Sequence, residues 1–190
     1  MIAELLRHGE TERGGGFRGS LDDALTQTGW QQMRQAVHQH AGWDLIVTSP
    51  LQRCATFAAE LAQLHGAPLE IQADLRELHF GEWEGWHPRD LMQDQAALLA
   101  RFWDDPYAFT PPGAEPVAAF RQRVLAVMAD LQRRHAGRRI LIISHAGVMR
   151  LLLARARCWP DRDLLQVEVS HGQLISLHLS ENGGLTESSA

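Results

Sequence analysis

The chain has 190 residues, 45% of them hydrophobic and 22% charged, with a formal net charge of −5. That balance excludes disordered, collagen-like and fibrous classes, and the length fits one globular domain over residues 1–190. A net negative chain is a poor ligand for nucleic acid or for an anionic membrane, so any anion it takes must be held by a local cluster of cations.

No apolar run approaches the roughly 18 residues of a membrane span. Residues 1–6 read as the start of a strand rather than as a basic leader with an apolar segment, so the expected location is cytoplasmic. Residues 2–6 (IAELL) form an apolar run ending at Arg7 and His8, the pattern of a buried parallel strand. A glycine-rich stretch follows, then a helix starting near Thr26 or Thr28. Thr28 with Gln31 fits a capping box, and Gly42 marks the expected end. Residues 44–48 (DLIVT) make a second strand. Ser49-Pro50 offers an N-cap and a proline at the first position of a helix running to His65, with Gly66 as its stop. Short extended pieces are expected at 68–71 and 75–80, after which Glu82, Trp83, Gly85, Trp86 and Pro88 break any period. Residues 91–103 and 117–135 read as helices, and 80–116 as an insertion over one edge of the sheet. RILIIS at 139–144 is a third strong strand, followed by His145 and a helix over 147–156. Alternation at 165–169 and 174–179, separated by Ser170-His171-Gly172, predicts a closing pair of strands, and the polar tail from Glu181 is expected to fray. Cys54 and Cys158 fall in helical stretches without metal-ligand spacing and read as buried small hydrophobes.

Strands alternating with helices predict an α/β fold: a mostly parallel sheet, helices on both faces, and antiparallel strands at one end. Ligands of such sheets bind beyond the carboxyl ends of the strands. Arg7 and His8 follow the first strand, His145 follows the third, and Arg53 falls in the first turn of the helix after the second. An arginine in a first helical turn is ordinarily solvated. Two histidines ending buried strands, each with an arginine nearby, are harder to explain that way. Guanidinium groups clamp phosphoryl oxygens bidentately, and glycine-rich backbone offers N–H groups to the same oxygens, so the four side chains describe a site for a phosphate dianion. Neutral imidazole keeps a lone pair on one nitrogen, and nearby arginines disfavour the imidazolium; one of the two histidines can then attack phosphorus. No H-E-x-x-H or paired aspartate motif occurs, and no catalytic metal is expected.

"LLRHGET" (5–11), "SPLQRCATFAAEL" (49–61), "LRELHFGEWEG" (75–85) and "LIISHAGVMR" (141–150) resemble, in order and spacing, the motifs of the histidine phosphatase superfamily, also called the phosphoglycerate mutase-like family. The resemblance covers most of the chain. It implies the phosphoglycerate mutase-like fold, a helical insertion over the active site, and hydrolysis of a small-molecule phosphate ester through phosphohistidine, with no cofactor. By the same resemblance His8 is the residue phosphorylated, Arg7, Arg53 and His145 hold the phosphoryl oxygens, and Glu77 is the general acid. A departing alkoxide needs a proton, and Glu77 lies in an apolar context of Leu75, Leu78 and Phe80 that suits a donor; Glu82 and Glu84 are its rivals. Many members carry Trp-Asn after RHGET where this chain has Arg13 and Gly14, so the backbone of 14–16 or Arg18 is expected to supply the missing contact. Arg18 and Gly19 stand where relatives line the substrate pocket. "GGGFRGSLDDALTQTGW" (14–30) resembles the α-ribazole phosphatases of cobalamin biosynthesis. Trp83 and Trp86 are then expected either to stack on a benzimidazole base or to pack the insertion on the sheet. A broad-specificity phosphatase, a phosphoglycerate mutase-like enzyme and a non-catalytic phosphate-ligand binder are the alternatives; a binder has no use for a proton donor. The sequence leaves a homodimer open.

Overall fold

The apolar runs of the sequence become strands covered on both faces. In the computed structural model, which describes residues 1–188, β1 (Ile2–Arg7), β2 (Leu45–Thr48) and β4 (Arg139–Ser144) are largely buried. With β3 (Leu69–Ile71), β5 (Leu174–Leu179) and β6 (Leu185–Glu187) they form one six-stranded sheet in the order β3-β2-β4-β1-β5-β6. The four strands from β3 to β1 run parallel, and β5 and β6 are antiparallel additions at the other end.

Side chains alternate across each strand, and the two faces meet different helices. Leu6, Ile46, Leu141 and Ile143 pack with α1 (Gln27–Val37) and α2 (Gln52–His65). Leu5, Val47, Ile140 and Ile142 join the larger cluster on the opposite face, with α5 (Val117–Arg134) and α6 (Ala146–Ala156). Two shorter helices, α3 (Pro88–Asp94) and α4 (Ala96–Asp104), add Leu91, Leu99 and Phe102 to that larger cluster. No helix among the described residues is long and apolar enough to cross a membrane.

Register sets the position of the site. Arg7 pairs with Ser144, and Thr48 with Ile143, so β1, β2 and β4 end side by side at their carboxyl ends. Two further backbone bonds extend this alignment past the strands: His8 N–H donates to Ser144 O (3.0 Å) and Ser49 N–H to Ile143 O (3.1 Å).

Several elements depart from the sequence reading, each for a tertiary reason. Helix α1 is capped by Thr26, whose Oγ1 accepts from Gly29 N–H (3.0 Å), not by Thr28, and it stops at Val37 rather than Gly42. Ser49 does not cap α2, because Leu51 holds the N-cap position and the Ser49 hydroxyl is turned to His145. The helix expected over 91–103 is two helices broken at Gln95, whose Oε1 accepts from the Trp83 indole (2.7 Å). Residues 161–166 form a 3₁₀ turn, so β5 pairs not with 165–169 but with β6, made from the tail that was expected to fray. Cys54 is buried, whereas Cys158 is exposed beyond α6 with φ of 55°.

Candidate active site

At the carboxyl ends of β1, β2 and β4 a cavity of about 440 Å³ opens, with Arg7, His8, Arg53 and Glu77 in its wall. The His8 ring is held in one tautomer. Its Nδ1 lies 2.8 Å from the Gly9 carbonyl, which can only accept, so Nδ1 carries the proton and Nε2 keeps the lone pair. Burial, reinforced by the Arg53 and Arg7 charges, holds His8 well below the ordinary imidazole value, so it is neutral at physiological pH.

Arg7 reaches from the end of β1 toward the β5 side. Its Nη1 donates to Val169 O (2.7 Å), its Nη2 meets His171 Nε2 (2.9 Å), and its Nε is buried without a partner. A buried donor with nothing to bond is costly, and an anion between Arg7 and His8 would satisfy it. Burial lowers Arg7 to about 10, which leaves it cationic at neutral pH.

Arg53 is 1% exposed. Its nitrogens reach Leu21 O (2.5 Å), Gly19 O (3.1 Å) and His145 Nδ1 (3.3 Å), and Asp23 faces it at 3.5 Å. Asp23 also pairs with Arg18 (3.0 Å), so a single buried carboxylate balances two of the arginines that line the cavity. His145 lies behind them, fully buried. Because Nδ1 accepts from Arg53, Nε2 carries the proton and donates to Ser49 Oγ (2.8 Å). Its ring stands edge-on to His8 with centroids 5.2 Å apart, and burial and Arg53 keep it neutral.

Glu77 comes from the irregular segment after a 3₁₀ turn at Ala73–Leu75, and it is fixed at both oxygens. Oε1 accepts from Leu78 N–H (2.9 Å), and Oε2 from Gly147 N–H (2.9 Å) in the first turn of α6. The contact needs glycine, since a Cβ on residue 147 would lie 2.2 Å from Oε1.

Arg7, His8, Arg53 and Glu77 therefore share one cavity wall, with His145 in direct contact behind Arg53. Gly19 is not in that wall. Its N–H is taken by Glu84 (3.0 Å), its carbonyl by Arg53, and a Cβ there would lie 1.9 Å from Leu78 O; it shapes the loop instead of reaching the cavity. Glu84 accepts from the amides of Gly19, Ser20 and Phe80, each at 3.0 Å, and its carboxylate is used up in fastening the loop. Glu82 is exposed outside the cavity. Arg18 and Gly14 line the cavity, with Arg18 tied to Asp23 and Gly14 N–H bonded to Thr11 O. Trp83 is fully buried against Phe17 and Phe102, at 5.3 and 5.7 Å, so it packs rather than stacks on a ligand. Trp86 is half exposed and outside the cavity. Besides His8 and His171, the aromatic rings in the wall are Phe17, Phe80, His87, Phe102, Trp103 and Phe120.

The family model for the histidine phosphatase superfamily (branch 1) matches residues 4–189. The chain belongs to this superfamily. Histidine phosphatases of this kind are hydrolases acting on phosphate esters, and so is this one. The adenosylcobalamin/α-ribazole phosphatase of Escherichia coli K12 is 34% identical over 93% of this chain and 89% of its own. The glucosyl-3-phosphoglycerate phosphatase of Mycolicibacterium vanbaalenii is 33% identical over 79% of this chain and 71% of its own. Among solved structures, the α-ribazole phosphatase of Shigella flexneri superposes with a TM-score of 0.85 at 31% identity, covering 99% of this chain and 95% of that one.

Four residues of this histidine phosphatase's cavity region escaped the sequence reading. Asp23 falls in the stretch before the first helix with no role assigned, Ser49 reads as a cap, Gly147 as a helix start and His171 as part of a spacer between strands. Each acts through a partner distant in sequence, so no local pattern marks it.

Proposed function

We propose that this histidine phosphatase hydrolyses the phosphomonoester of a flat, largely apolar alcohol through a phosphohistidine at His8, with α-ribazole 5'-phosphate as the foremost substrate. One observation carries the reading: neutral His8, with the lone pair on Nε2, shares a cavity wall with the guanidinium groups of Arg7 and Arg53. In the first half, Nε2 bonds to phosphorus as the ester P–O bond breaks, and Glu77 gives its proton to the departing oxygen so that the alcohol leaves neutral. Arg7 and Arg53 offset the charge on the remaining phosphoryl oxygens. In the second half, the Glu77 carboxylate takes a proton from water as the water oxygen bonds to phosphorus, the N–P bond breaks, and the lone pair returns to Nε2. His145 holds Arg53 Nε in place; for His145 itself to reach a phosphoryl oxygen, its Nε2–H must leave Ser49.

The aromatic wall and the identity to two α-ribazole phosphatases support a heteroaromatic alcohol. A panel of α-ribazole 5'-phosphate, glucosyl-3-phosphoglycerate and p-nitrophenyl phosphate, compared by kcat/KM with EDTA present, tests both levels. Hydrolysis that survives EDTA, with α-ribazole 5'-phosphate preferred, is expected. His8→Ala is expected to lose turnover and acid-labile phosphate incorporation together. A wide preference for a sugar phosphate overturns the substrate, and an active His8→Ala overturns the mechanism.

A further inference from the structure

His171 has no part in the chemistry above, yet it touches the arginine that the chemistry needs. The turn that carries it is fastened to the end of β1, where Arg7 N–H donates to Gln173 O (3.0 Å) and Gly172 N–H to His8 O (3.4 Å), and it is closed on itself by Ser170 N–H donating to the Gln173 side chain (2.7 Å). Gly172 has φ of 67°, and a Cβ there would lie 2.9 Å from Gln32 O, so little else fits at that position. The His171 ring is thereby fixed at the cavity rim, with its centroid 5.7 Å from that of His8.

A guanidinium group only donates. At 2.9 Å, Arg7 Nη2–H must therefore donate the hydrogen bond to His171 Nε2, and the imidazole must be the neutral Nδ1–H tautomer. With Nη1 on Val169 O and Nη2 on His171, the guanidinium plane is set by two bonds, and Nε remains as the nitrogen with no partner. We propose that His171 is a positioning residue that aims Arg7 at the phosphoryl group through its neutral Nε2, and that protonating His171 releases Arg7. Protonation would put a donor and a second cation against a donor and a cation. The charged and titratable groups facing His171 are Arg7 and His8 from β1 and its end, and Glu10 and Arg18 from the loop that follows. Glu10 is the one acid among them and shares its carboxylate with Thr26 Oγ1. His171 is exposed at the rim, and partial desolvation of its ring together with the Arg7 charge accordingly keeps it low, at about 4.

The inference rests on the phosphomonoesterase reading for its kinetic arm only, and an NMR arm stands apart from it. The ring ¹⁵N shifts of His171, read in the wild-type protein, are expected to report an Nδ1–H tautomer at pH 7; an Nε2–H tautomer or an imidazolium overturns the proposal whatever the enzyme hydrolyses. In the kinetic arm, His171→Ala is expected to lower kcat/KM for p-nitrophenyl phosphate about 10- to 100-fold at pH 7, as for a lost bond to a charged group. The loss should fall in KM, with inhibition by inorganic phosphate weakened in step. His171→Gln offers a carbonyl that accepts from Arg7 and cannot take a proton. It is expected to stay within about threefold of wild type, well inside the loss of a charged bond, and to show one proton fewer in the acid limb below pH 5. Wild-type phosphate inhibition in His171→Ala overturns the proposal, as does an unchanged acid limb in an active His171→Gln. Loss of all turnover in the wild-type protein, with the tautomer as expected, would instead count against the hydrolytic reading.

Discussion

Gly147 carries no side chain because a carboxylate occupies the space one would fill. Glu77 reaches the first turn of α6 only across a Cα–H, and an added methyl would begin 2.2 Å from Oε1. Gly147→Ala is therefore expected to push the carboxylate off the amide while leaving Arg7, His8 and Arg53 in place. A displacement of about 1 Å costs on the order of 10²-fold in a reacting geometry, so kcat should fall by roughly that factor with phosphate inhibition little changed. Glu77→Gln should behave alike, with slow turnover of alcohol monoesters; full activity in either variant would move the proton donor to another residue. At this scale the sequence was most legible where one residue announces its own chemistry. Arg7, His8, Arg53 and Glu77 sit in contiguous motifs and converge on the cavity. The partners that orient them do not, because Gly147 matters only beside Glu77, Ser49 only beside His145, and Asp23 only between two arginines that lie 35 positions apart. Gly19 went the other way: its place in the loop suggested a substrate contact, but its amide was already claimed by Glu84 from the far side of the chain.

Helix boundaries show the same division one level up. The bodies of α1, α2, α5 and α6 were placed from cap and stop residues and, in α5, from the apolar stripe Phe120, Val124, Val127, Met128 and Leu131 that packs into the core, although α1 stops at Val37, short of Gly42. Exact starts and breaks were not placed, since competing caps differ little in local propensity. Two threonines stand at the start of α1, Thr26 before it and Thr28 inside its first turn, and Thr26 takes the cap because the loop after His8 lies directly against the helix start: a Cβ on Gly29 would sit 2.1 Å from Glu10 O, and Thr26 also bonds the Glu10 side chain. Removing the cap hydroxyl should cost about 1 kcal/mol. Urea melts are expected to show that loss for Thr26→Ala and almost none for Thr28→Ala; equal losses would restore the capping box at Thr28. The break at Gln95 has a similar origin. Its side chain receives the indole N–H of a tryptophan buried twelve residues earlier, and satisfying that donor outweighs one more helical turn.

The whole molecule holds three neutral imidazoles, His8, His145 and His171, around Arg7 and Arg53, and this ties its stability to pH. All three are held below the ordinary value of 6.5, chiefly by desolvation. The unfolded chain takes up those protons below about pH 6.5 while the native chain refuses them, so unfolding binds protons and stability falls as the pH is lowered. The contribution is complete above about pH 7 and drains away from 6.5 toward 4, where His171 titrates. Thermal melts at fixed ionic strength should show Tm falling by several degrees between pH 7 and pH 5, less so with inorganic phosphate bound; a Tm that is flat over that interval would mean the native imidazoles are charged. The fold class and the parallel sheet followed from strands that alternate with helices, whereas the placement of β4 between β1 and β2, and the recruitment of the tail as β6, depend on pairings that no local pattern records. That placement also orders events in time. β1 is made first, and both neighbours that pair with its edges, β4 and β5, come from the last third of the polypeptide. During synthesis β1 must wait with two bare edges until about 140 further residues have left the ribosome, an interval in which it is exposed to misassociation. Chaperone dependence and codon pace upstream of residue 139 are then where yield would be won or lost.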